Sequence, residues 1–362
     1  YCAQCGRSCK AYADFSSSSC LIKPAIATGN VDVVPHAMAR EVITNAEGLA
    51  TGISYVDTLD MLDYQVNGRV VILAASACES ARLLLNSVSR RHPNGLANSS
   101  DVVGKYLHDS TGAAVGGVLP QLMGRKRYNE DGVGGMHVYT PWWLDNKKLD
   151  FPRGYHIEYW GGMQQPAYGF GWGIENLNGK MQVHGKTKQA GGYGKSLKED
   201  YRFMYGASVG MAGRGEAIAF ESNYCEIDPN VVDKYGIPVL RFNVKYSDYE
   251  INQAKHMNET FKEIMHEMGA VITWGGDAGP HNNWGLESPG KIIHEAGTVR
   301  MGNDPKKSAL NKWSQAHDCK NLFCVDGGQF VSQGDKNITW TIMALSMRAS
   351  EYIVDQMKKH NL

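Results

Sequence analysis

The apolar positions of this chain change period several times, and each change marks an element. Val31-Asp32-Val33-Val34 alternates and predicts a short strand. Val42-Ile43 and Gly52-Ile53-Ser54-Tyr55-Val56 repeat the pattern on either side of an Asn45-Ala46-Glu47-Gly48 turn. Arg69-Val70-Val71-Ile72-Leu73-Ala74-Ala75 is apolar without alternation, as a strand buried in a parallel sheet is, and residues 79–85 follow it with helical spacing. Tyr155-His156-Ile157-Glu158-Tyr159-Trp160 alternates again and predicts a strand with one wet face. Residues 223–229 and 235–239 read as strand, turn, strand. Ser247 and Glu250 form a capping-box pattern, so a helix is expected to start there, bury Ile251, Ala254, Phe261, Ile264, Met265 and Met268, and stop at Gly269. A last helix, through Ile342, Met343, Leu345, Met347 and Ile353, has the apolar stripe of an ordinary packing helix.

Composition narrows the class. A length of 362 residues leaves room for two domains, and 43% hydrophobic with 20% charged residues is ordinary for a globular protein. Lys+Arg 37 balances Asp+Glu 37, which argues against nucleic acid or an anionic membrane surface as the main partner. No apolar run approaches the ~20 residues of a membrane span. The chain opens on Tyr1 with no initiator Met or signal-like segment, so it reads as a fragment or a processed product. No Gly-x-Gly-x-x-Gly follows an apolar strand, and Gly185-Lys186-Thr187 and Gly194-Lys195-Ser196 are rejected as P-loops because Lys180 and Gln189 stand where the first glycine is needed.

Two groups of residues carry chemistry. Cys2, Cys5 and Cys9 are spaced so that three thiolates can face one inorganic centre; an iron–sulfur cluster, a zinc site, a disulfide and free thiols all fit that spacing. The second group is Ile293-His294-Glu295-Ala296-Gly297-Thr298-Val299-Arg300-Met301-Gly302, with Cys324-Val325-Asp326-Gly327-Gly328 and Asn337-Ile338-Thr339. It combines an imidazole before a Gly-Thr turn, a strand ending in an acid and two glycines, and a polar triplet at a helix mouth. A base, a tight backbone and a helix N-terminus together suit a redox cofactor. Between the groups, Trp142, Trp143, Tyr155, Tyr159, Trp160, Tyr168, Phe170 and Trp172 crowd among glycines, as residues that stack on sugar rings do, although any one of them is more often core. His256 and His266 lack a second ligand at metal spacing and read as surface or packing residues.

The order His-x-x-Gly-Thr-x-Arg-Met-Gly, Val-Asp-Gly, Asn-x-Thr resembles the C-terminal signature of the glucose-methanol-choline (GMC) oxidoreductases, and among them bacterial sugar dehydrogenases of the glucoside 3-dehydrogenase and gluconate dehydrogenase type. The resemblance runs over most of the chain. It departs from the family at Ala81, where Pro is usual, and at Ser110, where His is usual. It implies an α/β and α+β fold: a Rossmann-like FAD-binding domain, incomplete at its N-terminus, over residues 1–109 and 290–362, with a mainly antiparallel substrate domain over 110–289. It implies FAD as cofactor and oxidation of a sugar or polyol hydroxyl to a carbonyl. His294 would be the base and Asn337 its partner at the hydroxyl. Asp326, Gly327, Thr339 and Met38 would touch the cofactor. Cys2, Cys5 and Cys9 would hold an iron–sulfur cluster that passes electrons to a cytochrome c acceptor, with a small subunit as partner and a periplasmic location. The readings set against it are an oxygen-using sugar oxidase and a non-catalytic carbohydrate-binding module.

Overall fold

The computed structural model describes residues 15–125, 139–141, 149–161, 180–183, 186–189, 194–204 and 206–362. The chain forms two compact units, each made of non-contiguous segments: Tyr1–Val33, Gly112–Arg214 and Asp248–Glu287 in one, Val34–Thr111, Gly215–Ser247 and Ser288–Leu362 in the other. Cys2, Cys5 and Cys9 lie outside the described residues, as do Trp142, Trp143, Tyr168, Phe170 and Trp172.

The first unit is built on a sheet with strand order Val271–Trp274, Ala114–Val118, Ser208–Gly215, Tyr155–Gly161, Tyr139–Pro141. Strand alternation sends Tyr155, Ile157, Val209 and Met211 to one face, where they pack on Ala254, Met257, Phe261 and Met265 of helix Asp248–Glu267. That helix starts directly after Ser247, and Gly269 beyond its end has φ +67°, the left-handed conformation in which helices commonly stop. His256 is a packing residue here, its Nδ1 2.7 Å from the Tyr155 hydroxyl.

The other face corrects the expectation of a wet side to strand Tyr155–Gly161. His156 and Glu158 are 0% and 1% exposed. A buried carboxylate needs a cationic partner, and Arg214 supplies one, its guanidinium 3.3 Å from Glu158 Oε2, with His156 Nε2 3.4 Å from Oε1. On the same face Gly116 and Gly210 stand opposite each other in register. A Cβ on Gly116 would come within 2.2 Å of the Trp274 indole, and one on Gly210 within 2.3 Å of the Trp160 indole. The two rings are near-parallel at 16° with centroids 6.1 Å apart, so they lie side by side on a glycine floor.

The second unit holds an antiparallel meander, Ala37–Thr44, Ala50–Asp57 and Asp63–Asn67. Its first turn matches the sequence reading: Asn45 Oδ1 accepts from the Leu49 amide at 2.9 Å and Gly48 has φ +83°. The strand expected at 31–34 does not form. Val33 and Val34 are exposed and join no ladder, and pairing begins only after the turn at Pro35-His36. Val71–Leu73 pairs in parallel with Leu322–Cys324. Helix Ala77–Asn86 buries Ala81, Leu83 and Leu84 in the main core of this unit. Its Arg82 carries hairpin Tyr224–Val232/Pro238–Asn243 by donating to Asp233 at 2.7 Å and to the Pro238 carbonyl at 2.7 Å.

Helix Thr339–Lys358 is a third correction, because its apolar stripe is wider than the surface it covers. Ala349 and Ile353 pack on Phe323 and Val325, and Ile342 and Leu345 pack beside Ala296, Phe330 and Ile338. Trp340 and Met347 remain 85% and 66% exposed. Among the described residues, no helix is long and apolar enough to cross a membrane, and no cluster of His, Cys, Asp and Glu is arranged to hold a metal.

Candidate active site

The motif segments, distant in sequence, are joined by a backbone ladder in the second unit. The Ala296 amide donates to the His108 carbonyl at 2.8 Å, and the His108 amide returns the bond at 3.1 Å. On the opposite side, the amides of Gly297, Val299 and Met301 donate to the carbonyls of Gly327, Gly328 and Gln329 at 3.1, 2.8 and 2.9 Å. Thr298 closes the arrangement by donating its hydroxyl to the Ala77 carbonyl at the start of helix Ala77–Asn86. Glycine is required at 297: φ is +97°, and a Cβ would sit 2.3 Å from the Tyr106 carbonyl oxygen. Gly327 is close behind, since its Cβ would meet the Glu295 carbonyl at 2.9 Å and the Ile338 and Ile342 side chains at 3.7 Å.

His294 sits at the mouth of this ladder, half-buried, with its backbone gripped from both ends. Its amide donates to Asp109 Oδ1 at 2.9 Å, and the same carboxylate accepts from the amides of Ser110 at 2.8 Å and Gly290 at 3.0 Å. The Gln333 amide is satisfied at both ends when its nitrogen donates to the His294 carbonyl at 3.0 Å and its oxygen lies 2.7 Å from the Ser110 amide and 3.1 Å from Ser110 Oγ. The reverse orientation would set two N–H donors against each other and two oxygens against each other. Ser110 Oγ is also 3.0 Å from His294 Nδ1. Residue 293 bears the cost of this placement: Ile293 is β-branched yet has φ +66°.

Both buried carboxylates of the site titrate above their usual range. Burial pushes up Asp109; the His294 amide opposes the rise, and the nearby Glu295 adds to it. Burial also pushes up Asp326, against the hydrogen bonds it accepts from the Ser80 hydroxyl and from the Gly328 amide at 2.8 Å.

The ladder thus brings together His294, Asp326 and Gly327. Asn337 and Thr339 lie exposed at the entrance of helix Thr339–Lys358, tied to the ladder through Ile338, which packs with Ala296 and Phe330. The N-cap residue there is Ile338, whose side chain makes no capping bond, and the first-turn amides form a positive pole that favours an anionic or electron-rich group. Met38 lies apart from them in chain and ladder, half-buried on the first meander strand opposite Val56. Asp109, Ser110 and Gln333 were not marked as site residues by the sequence. Ser110 was visible only as a departure from the family pattern, and Gln333 carries no local signal. The donor set fits a flavin: a tight Gly-Gly turn closes on the His294 segment, and a helix entrance stands beside it.

Comparison with known proteins agrees. The GMC oxidoreductase N-terminal model matches residues 1–111, and the C-terminal model matches residues 220–346. The chain belongs to the GMC oxidoreductase family. Among GMC relatives, 2-methyl-1,2-propanediol dehydrogenase of Mycolicibacterium austroafricanum is 32% identical over 91% of this chain and 55% of its own length. The fructose dehydrogenase large subunit of Gluconobacter japonicus is 26% identical over 90% of this chain and 54% of its own. The chain therefore spans about half the length of the curated relatives it matches. Formate oxidase of Aspergillus oryzae shares the fold, with a TM-score of 0.62 at 14% identity over 91% of this chain and 62% of its own.

The elevated Asp326 carboxyl has a consequence for stability. A carboxyl whose folded pKa lies above its unfolded value of about 3.9 contributes stability that is complete below that value and is lost as pH rises through the folded pKa. The neutral isostere Asp326→Asn lacks this dependence. Urea midpoints of the wild type, measured upward from about pH 4, are therefore expected to fall relative to those of Asp326→Asn until the folded pKa is passed, with a constant gap above it. A gap that stays constant throughout would show that Asp326 ionises in the native state as it does in water.

Proposed function

We propose that the complete protein is a flavin-dependent dehydrogenase that oxidises a hydroxyl group of a sugar or polyol to a carbonyl. The observation that carries the reading is the grip on His294: an imidazole held by its backbone at both ends, beside a Gly-Gly turn and a helix entrance. Alcohol oxidation needs a base for the hydroxyl proton and an acceptor for the hydride. FAD, when bound, supplies the hydride acceptor, since no side chain can. His294 takes the hydroxyl proton, a role in which imidazole is the commonest side chain. Asn337 at the helix entrance supports the same hydroxyl through its amide, and Asp326, Gly327, Thr339 and Met38 are the residues we assign to holding the flavin.

A ring-shaped substrate is supported by the first unit, where Trp160 and Trp274 offer indole faces of the kind on which sugar C–H faces stack. The names of the relatives, a diol dehydrogenase and a fructose dehydrogenase large subunit, point to the same substrate class. The second name, a large subunit, supports a smaller partner subunit; for an electron acceptor such as a cytochrome c the support is the sequence resemblance alone. For Cys2, Cys5 and Cys9 the support is spacing and resemblance, and iron content of the anaerobically purified full-length protein decides their role. Stoichiometric iron lost in Cys5→Ser is the expected result; iron-free wild type would remove the cluster.

Replacing His294 tests the base directly. In the flavin-loaded full-length enzyme, His294→Ala is expected to lower turnover by about 10²–10⁴-fold while the flavin stays bound. Near-wild-type turnover would show that the proton leaves by another route.

A further inference from the structure

We infer that Ser110 and Gln333 are positioning residues that set the tautomer of His294, placing its proton on Nδ1 so that Nε2 is the atom that receives the substrate proton. The inference rests on the reading of His294 as the base, but it concerns a property of the ring that is measurable without turnover.

The argument is a count of donors and acceptors. The Gln333 amide is oriented by groups whose roles cannot change: the His294 carbonyl at 3.0 Å only accepts, and the Ser110 amide at 2.7 Å, its hydrogen shared with Asp109 Oδ1, only donates. The Gln333 oxygen therefore faces Ser110, and it lies 3.1 Å from Ser110 Oγ. That hydroxyl has a single hydrogen and two neighbours, the Gln333 oxygen and His294 Nδ1 at 3.0 Å. If the hydrogen went to Nδ1, the contact between hydroxyl and Gln333 oxygen would join two oxygens with no hydrogen between them. If it goes to Gln333, the hydroxyl lone pair accepts from an Nδ1–H and both contacts are hydrogen bonds. Ser110 and Gln333 are 0% and 4% exposed, so solvent does not supply the missing hydrogen, and the fully bonded arrangement is favoured.

The consequence for the base follows. A neutral imidazole with hydrogen on Nδ1 has its lone pair on Nε2, and proton uptake there leaves the contact with Ser110 unchanged. The orienting group at Nδ1 is the Ser110 hydroxyl. The Asp109 carboxylate holds backbone amides, including that of His294 itself. The same Gln333 side chain grips the His294 carbonyl, so one residue sets both where the ring stands and which nitrogen carries hydrogen.

The test is the ¹⁵N spectrum of histidine ring nitrogens in the full chain, recorded at about pH 9 so that the ring is neutral, with the His294 signals assigned by their loss in His294→Gln. The expected spectrum has a protonated Nδ1 and a lone-pair Nε2. Ser110→Ala and Gln333→Leu are expected to shift the ring toward the Nε2–H form, while Ser110→Thr, which keeps the hydroxyl, retains the wild-type pattern. In turnover, Ser110→Ala should lower kcat by about 10²-fold with little change in KM, and Ser110→Thr should recover most of it. A wild-type ring already in the Nε2–H form, or one unmoved by Ser110→Ala, would overturn the inference, and the wild-type spectrum alone decides this if a variant fails to fold. The two readings fail separately: a misassigned tautomer in an enzyme that still needs His294 sinks only the positioning pair, whereas wild-type turnover in His294→Ala sinks the base and the catalytic meaning of the tautomer with it.

Discussion

The close approach of backbone at Gly297 is the constraint on which the rest of the motif-bearing unit depends. Only a residue without Cβ can pass the Tyr106 carbonyl at that distance and at φ +97°. Because it passes, the amides on either side reach both neighbours, the 104–108 segment and the 327–329 turn. A side chain there would push the ladder open and separate His294 from Asp326-Gly327-Gly328. The ladder also explains why the imidazole can be held where it is despite an unfavourable Ile293 backbone: three amides on Asp109 and one Gln333 amide over-determine the position.

Much of this was legible in the sequence where the signal is local. The Asn45 turn, the Val71–Leu73 strand, the helix after Ser247 and the Gly-Thr turn each follow from residue types within a few positions of one another. The failures share a cause, which is that exposure is set by what lies across space. Val31 to Val34 has strand character but no strand beside it. Strand Tyr155–Gly161 looked half-wet because His156 and Glu158 are polar, and nothing nearby in the chain announces that Arg214 will arrive to hold the buried carboxylate. Helix Thr339–Lys358 carries an apolar stripe wider than the surface it meets in its own unit. The candidate site divides the same way. His294, Asp326 and Asn337 stand in a recognisable order, whereas Asp109, Ser110 and Gln333 come from opposite ends of the unit and are united only by the fold.

Two chemistries are thus arranged in separate parts of the chain, each by its own local physics. In the motif-bearing unit, hydrogen bonds of fixed direction hold His294 beside a turn too tight for any residue but glycine. In the sheet unit, paired glycines let two indoles lie flat next to a buried ion pair. The first is the arrangement we assign to proton removal from a hydroxyl, and the indoles of the second suit the C–H face of a ring.

The central claim, that this site serves oxidation of an alcohol by bound flavin, is tested most directly by anaerobic reduction of the full-length protein. Adding sugars and polyols to the oxidised flavoprotein without oxygen or another acceptor is predicted to bleach the visible flavin band with at least one of them, one flavin per active site. An oxidised band that persists with every sugar and polyol, in protein that carries flavin and is bleached by dithionite, would contradict the account.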